Sequence, residues 1–190
     1  MHYYRHDLAV IHDQGFSFHA DRCAPGILEL LAPVRDRLPD EPLPAADAIV
    51  SVGHVISYLP DAAAIDRAVV AMAGALRPGG VLAFDILDLA YGEIPPGRES
   101  SGRVAEDWAI VARYEAPAPD LYVREITTFV PDGHGAWRRD DERHENVLVD
   151  TSRLPGLLAE HGVDASVRPS FGTELLPPGP HVVAGSKRPA

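Results

Sequence analysis

The sequence holds a single cysteine in 190 residues. No internal disulfide is available to it, and that suits a reducing compartment, the cytoplasm. Cys23 itself stands in "ADRCAPGILELL", at the mouth of an apolar helix, and reads as a packing residue. Cations are scarce: 17 Lys plus Arg face 28 Asp plus Glu, for a net charge of -11. A nucleic-acid backbone needs a cationic face, so nucleic acid is excluded as the main partner. The densest basic pair, Arg138 and Arg139, runs directly into Asp140, Asp141 and Glu142. No apolar run reaches bilayer-spanning length, and "MHYYRHDLAV" lacks the apolar core of a signal peptide. No G-x-S-x-G is present, which removes the serine elbow of hydrolases. His2 and His6, or His12 and His19, have spacings that begin a metal site, but no cysteine or acid cluster completes one, so no metal is expected. G-x-G-x-x-G and D-x-G-x-G are missing as well. The one G-x-G pair, Gly133 and Gly135, lies between two alternating segments, where it makes a hairpin turn.

What is present suits one soluble domain. Hydrophobic residues make up 46% and charged residues 24%, enough for an ordinary core. Residues 3 to 24 mix aromatics, histidines and acids, and predict one or two short helices broken at Gly15. From 25 to 38, Ile27, Leu30, Leu31, Val34 and Leu38 fall at helical spacing, with Pro25 in the first turn. A proline-rich linker follows. "DAIVSV", 47 to 52, is an apolar run of strand length. Asp61 is placed to cap a helix over "AAAIDRAVVAMAGAL", whose Ile65, Ala68, Val69, Met72 and Leu76 share a face. "RPGG" closes that helix, and "VLAFDI", 81 to 86, is the next strand, giving a βαβ unit. Residues 87 to 103 read as a loop. Three alternating segments, 103–116, 121–132 and 136–149, predict an antiparallel meander with one wet face. The closing part is a helix over "DTSRLPGLLAEHG", capped by Asp150 or Thr151 and ended by Gly162, and then two strands.

These segments resemble the small bacterial class I S-adenosylmethionine-dependent methyltransferases. "HDQGFSFHADRCAPGILELL" is similar to their opening helices, "PLPAADAIVSVGHVISYLPD" to their fourth strand and its loop, and "ALRPGGVLAFDILD" to their fifth strand. "LPGLLAEHGVDA" with "HVVAGSKRP" resembles their last helix and closing antiparallel pair. The resemblance implies a reduced Rossmann-like α/β fold with an antiparallel meander insertion, in one domain over 1–190. Its parts are N-terminal helices (1–38), a βαβ core (43–88), a substrate-covering insertion (103–149) and a closing helix with strands (150–190). The family's first three strands and Gly-rich donor loop have no counterpart between Leu38 and Leu43, since that linker is too short for a strand and a helix. The expected strand order is fourth, fifth, seventh, sixth.

The candidate site residues follow from position. Gly53 and His54 come directly after the first strand, at the carboxyl end where open α/β sheets bind ligands. His54 suits a base or hydrogen-bonding group at the methyl-transfer end of a pocket, or else a loop histidine capping backbone. The resemblance puts Gly53, His54, Ser57 and Tyr58 against the methyl donor. Tyr58 equally covers the following helix. Asp85 is a substrate-side acid or a cap at the strand end, and Asp88 a surface acid. Tyr4, His12 and Phe16, with Tyr3 and Asp13, form an N-terminal lid over the substrate, or else pin a helix to the core. Trp108, Tyr114, Tyr122, Phe129 and Trp137 divide between packing and a pocket wall. "RRDDERHEN" reads as a solvated strand face.

Two expectations follow. S-adenosylmethionine should bind weakly or not at all, because a missing Gly-rich loop and ribose acid remove several hydrogen bonds, each worth on the order of 1 kcal/mol. The strand at 47–52 has an open apolar edge free of Lys and Pro, and such edges pair with other chains. The expected partners are a small-molecule substrate and a second copy of the chain through that edge, or coverage of the edge by the N-terminal helices.

Overall fold

The computed structural model describes residues 5–16, 25–27, 30, 45–174 and 179–189. Helix α1, His6–Phe16, comes first, and its Leu8 and Ile11 are buried. Gly15 lies in its last turn, one residue before the helix ends at Phe16, and a Cβ there would stand 2.8 Å from the Trp108 ring. Of the helix predicted over 25–38, residues 25–27 and 30 are helical and the rest lie outside the described residues, as does Cys23.

The first sheet is the predicted one. Strand β1, Ala46–Ser51, pairs in parallel with β2, Leu76–Leu87, across helix α2, Ala62–Ala75. The Asp61 carboxylate caps α2 by accepting the Ala64 N–H at 2.6 Å. Val81 to Leu87 are all buried, as expected of a central strand covered on both faces. "RPGG", expected to close the helix ahead of a strand starting at Val81, belongs to β2 itself. Helix α3, Leu154–Glu160, leads through a left-handed Gly162 into β7, Val163–Arg168. The last strand, β8, Pro180–Lys187, enters between β2 and β7 and is antiparallel to both. The order β1-β2-β8-β7 matches fourth, fifth, seventh, sixth. Ile65, Val69, Leu82, Phe84, Ile86, Leu154 and Leu158 form the core between this sheet and the two helices. The Lys187 ammonium donates to the carbonyls of Ala73 and His161 at the ends of α2 and α3, a favourable charge at both helix C-termini.

The second sheet is antiparallel, in the order β3-β4-β5-β6. Its strands are β3 (Ser100–Val104), β4 (Ala109–Ala118), β5 (Leu121–Pro131) and β6 (Trp137–Val147). The meander thus has four strands, not three. The end of the segment read as a loop pairs with β4, and the first predicted strand splits around 105–108. The sheets meet where Asp88 bridges Val149 in parallel and the Leu89 N–H donates to the Val149 carbonyl at 3.1 Å. α1 lies on the inner face of the second sheet, with Leu8 packed against Ala112 and Ile126.

Candidate functional site

The site starts in the loop that leaves β1. Gly53 and His54 both have positive φ, 93° and 48°, so the chain turns sharply at the carboxyl end of the parallel pair. His54 is the one non-glycine residue in that region among those described, a conformation uncommon for a side chain of its size. Asp85, buried on β2, holds the turn: its Oδ2 accepts the Gly53 N–H at 3.0 Å and its Oδ1 accepts the His54 N–H at 2.8 Å. The turn Val55–Tyr58 follows. Ser57 in it is fully buried, and its Oγ accepts the Leu87 N–H at 3.1 Å. Both Ser57 and Asp85 therefore tie the loop to β2. The Tyr58 ring stacks near His54, with centroids 6.3 Å apart and planes at 13°.

Tyr58 links this loop to the meander. Its hydroxyl lies 2.7 Å from His144 Nδ1, and Arg124 Nη2 donates to the same oxygen. His144 Nε2 is 3.0 Å from Glu142 Oε2, and Glu142 Oε1 accepts the backbone N–H of Arg5 at 3.0 Å. Burial holds the His144 imidazole below its ordinary pKa; the Arg124 charge acts the same way, and the Glu142 carboxylate opposes both. The neutral imidazole is thereby favoured. A carboxylate can only accept, so His144 carries its proton on Nε2 and presents the Nδ1 lone pair to Tyr58. The Tyr58 hydroxyl then donates to His144 and accepts from Arg124.

A cleft of about 330 Å³ opens beside this network, between α1 and the inner face of the meander. His12, Phe16, Arg103, Tyr114 and Arg124 line it together with apolar residues. His12 stacks on Phe16 at 5.3 Å, and the Arg103 guanidinium covers the Phe16 ring at 5.1 Å. Tyr114 stacks on the buried Tyr122 at 6.0 Å, and Tyr91 meets Tyr122 edge-on at 4.7 Å. Among the described residues the lining includes two guanidinium groups and no carboxylate. Arg124 belongs both to the cleft and to the Tyr58 network.

Of the residues singled out from sequence, Gly53, His54, Ser57, Tyr58 and Asp85 come together in one loop region, and His12 and Phe16 stand in the cleft. Tyr4 lies outside the described residues. The aromatics divide as follows: Trp108 and Tyr122 are buried, Tyr114 lines the cleft, and Trp137 is exposed. The reading of "RRDDERHEN" as a solvated face needs correction. Arg143 and Glu145 are outside, ion-paired at 3.1 Å, but Glu142, His144 and Asn146 are buried. A strand's side chains alternate, so counting back by twos from buried Leu148 places those three inside.

No protein-family model matches the chain, and no curated protein does. Solved structures match it. An S-adenosylmethionine-dependent methyltransferase from Clostridium acetobutylicum ATCC 824 superposes with a TM-score of 0.64 at 16% identity, over 86% of this chain and 71% of that one. The chain has the class I methyltransferase fold. The sugar N-methyltransferase KedS8 from Streptoalloteichus sp ATCC 53650 matches with a TM-score of 0.60 at 23% identity, and this chain covers 60% of its length. DesVI of Streptomyces venezuelae gives 0.70 at 16% identity, over 98% of this chain and all of that one. In a methyltransferase fold the crevice beyond the carboxyl ends of the parallel strands is the ligand side, and here that is where Gly53, His54 and Tyr58 stand. Within the described residues β1 is the edge of its sheet, and β2 is its one neighbour.

The loop fits a methyl donor in part. The His54 and Tyr58 rings supply a wall for stacking. The Gly53 and His54 amides already donate to Asp85, and the Ser57 hydroxyl faces the core. No helix of the described residues is long and apolar enough to cross a membrane.

Proposed function

We propose that this protein transfers a methyl group from S-adenosylmethionine to a small molecule held in the cleft under α1. The observation that carries the reading is Arg124, which lines the cleft and also hydrogen-bonds Tyr58 in the turn after β1. The substrate pocket and the donor-side loop are thereby one hydrogen bond apart. S-adenosylmethionine, when bound, supplies an electrophilic methyl group. The chain's own residues do the rest: His54 and Tyr58 wall the donor side, while His12, Phe16 and Tyr114 enclose the acceptor. A cleft with two guanidinium groups and aromatic walls favours a polar ring compound with acceptor oxygens. An amino sugar is the substrate class that combines such oxygens with a methylatable nitrogen, and KedS8 is a sugar N-methyltransferase.

Donor affinity is expected to be low. No Gly-rich loop aims amides at a nucleoside or carboxylate, and the Gly53 and His54 amides in the turn after β1 are engaged by Asp85. That same feature favours the second reading, a methyltransferase fold that has become a binding module without catalysis. Isothermal titration with S-adenosylmethionine tests both. Saturable binding in the high micromolar range supports the enzyme reading. No heat at millimolar donor overturns it in favour of the binding module. Low-micromolar binding would mean that other residues of the chain build the donor site.

A further inference from the structure

We infer that Tyr58, His144 and Glu142 form a proton relay serving the cleft, with Tyr58 as its receiving end. A nitrogen or oxygen nucleophile that gains a methyl group must lose a proton, and a positioned acceptor speeds that loss. Tyr58 is arranged for both halves of the exchange. Its oxygen accepts from Arg124, which lines the cleft, and its hydrogen points at His144 Nδ1 at 2.7 Å. When a nucleophile's proton reaches Tyr58 Oη, a new O–H bond forms there. The original O–H bond breaks, and its proton joins Nδ1. The positive charge left by methyl transfer ends on the His144 imidazolium, 3.0 Å from the Glu142 carboxylate. The phenol is intact after the exchange, the methylated product is left without its extra proton, and the relay resets when His144 releases its proton to solvent.

Three features support a relay over mere satisfaction of buried polar groups. Glu142, His144 and Asn146 stand in a row on one buried face of β6, a costly arrangement for a strand that could bury apolar residues there. Burial favours the neutral form of His144, and it is the neutral imidazole that has a lone pair to accept a proton. The contacts run in order from a carboxylate to an imidazole to a phenol, and the phenol oxygen meets Arg124, which lines the cleft. Among the described residues, His144 is faced by Tyr58 from the turn, Arg124 from β5 and Glu142 from its own strand. His54 stacks near the Tyr58 ring, with centroids 6.3 Å apart.

The relay rests on the methyl-transfer reading for the identity of the proton source, but its proton arrangement is tested without any substrate. Full-length protein labelled with 15N-histidine, assigned with His144→Gln, reports the His144 tautomer at pH 7. The expected result is a protonated Nε2 and a bare Nδ1, with the Nδ1 signal shifted in Tyr58→Phe. A proton on Nδ1 would make His144 the donor to Tyr58 and overturn the relay. The second arm measures methyl transfer from S-adenosylmethionine to glucosamine and a panel of amino sugars. Tyr58→Phe keeps the ring and its packing; it should lower kcat about a hundredfold, leave donor affinity within about twofold, and remove the acidic limb of the pH profile. An unchanged kcat and profile would sink the relay while leaving the methyltransferase intact. Absence of donor binding in the wild type would sink the methyl-transfer reading, and the tautomer would still decide the relay.

Discussion

Asp85 Oδ1 accepts the backbone N–H of His54 at 2.8 Å, across from one parallel strand to the loop of the next. The other oxygen takes Gly53, so one buried carboxylate fixes two successive left-handed residues. Asp85→Asn keeps one acceptor and turns an NH₂ group toward the other amide. Stability should drop by about 2–3 kcal/mol, seen as a lower urea midpoint with an unchanged slope. A midpoint equal to wild type would show that the loop does not depend on this carboxylate.

His54 combines an unusual backbone with an imidazole, and the two can be separated. Asn tolerates the left-handed region far better than Ala. His54→Asn is therefore expected to fold as stably as wild type, and His54→Ala to lose about 1 kcal/mol. Any methyl transfer should fall in both. His134, whose N–H donates to Asp132 in the β5–β6 hairpin, provides the control: His134→Ala should leave transfer unchanged. Equal effects at 54 and 134 would remove His54 from the site.

Asp88 ties the end of β2 to the start of the closing segment. Burial works to raise its pKa. Bonds from the Thr151 hydroxyl at 2.6 Å, from the Ala90 and Thr151 amides, and the nearby His181 outweigh it, so the carboxyl titrates below its ordinary value of 3.8. A depressed carboxyl contributes stability that is fully present above the unfolded value and lost as pH falls through the folded one. Denaturation midpoints measured from pH 5 downward should fall in the wild type, and fall less steeply in Asp88→Asn. Parallel acid limbs in the two proteins would contradict this.

The edge of β1 that has no strand partner among the described residues is expected to join two copies of the chain. Within the described residues β1 pairs with β2 on one side, and Val50 is 36% exposed. Light scattering should give twice the chain mass at high concentration, with slow amide exchange along 47–52. Val50→Lys should return the monomer, since edge lysines block strand pairing. A wild-type monomer with fast exchange along β1 would rule out pairing.

The first sheet was legible because each of its elements carries a local signal. "DAIVSV" and "VLAFDI" are apolar runs, Asp61 is a cap, Gly162 is a terminator, and a βαβ unit has one handedness. The loop 53–58 followed from its place after β1. β3 was not legible: "SSGRV" is exposed throughout and has no apolar alternation, and it is a strand only because β4 offers its backbone. His144 and Glu142 were hidden by charge. A run rich in Arg, Asp and Glu looks wet, while the alternation that buries every second residue shows only in register with Leu148. The link from Tyr58 to His144 joins residues far apart in sequence, and no local pattern reports such a pairing.

The position of β8 has a consequence in time. This strand follows all the others in the chain, yet it lies inside the sheet between β2 and β7. β2 is therefore synthesised about a hundred residues before its antiparallel neighbour, which at about 5–20 residues per second is on the order of ten seconds on the ribosome. The meander, made of consecutive hairpins, can close as soon as it emerges. The first sheet must wait with one side of a strand that ends up buried still bare, and during that interval a chaperone, or a neighbouring nascent chain, has its best opportunity to bind.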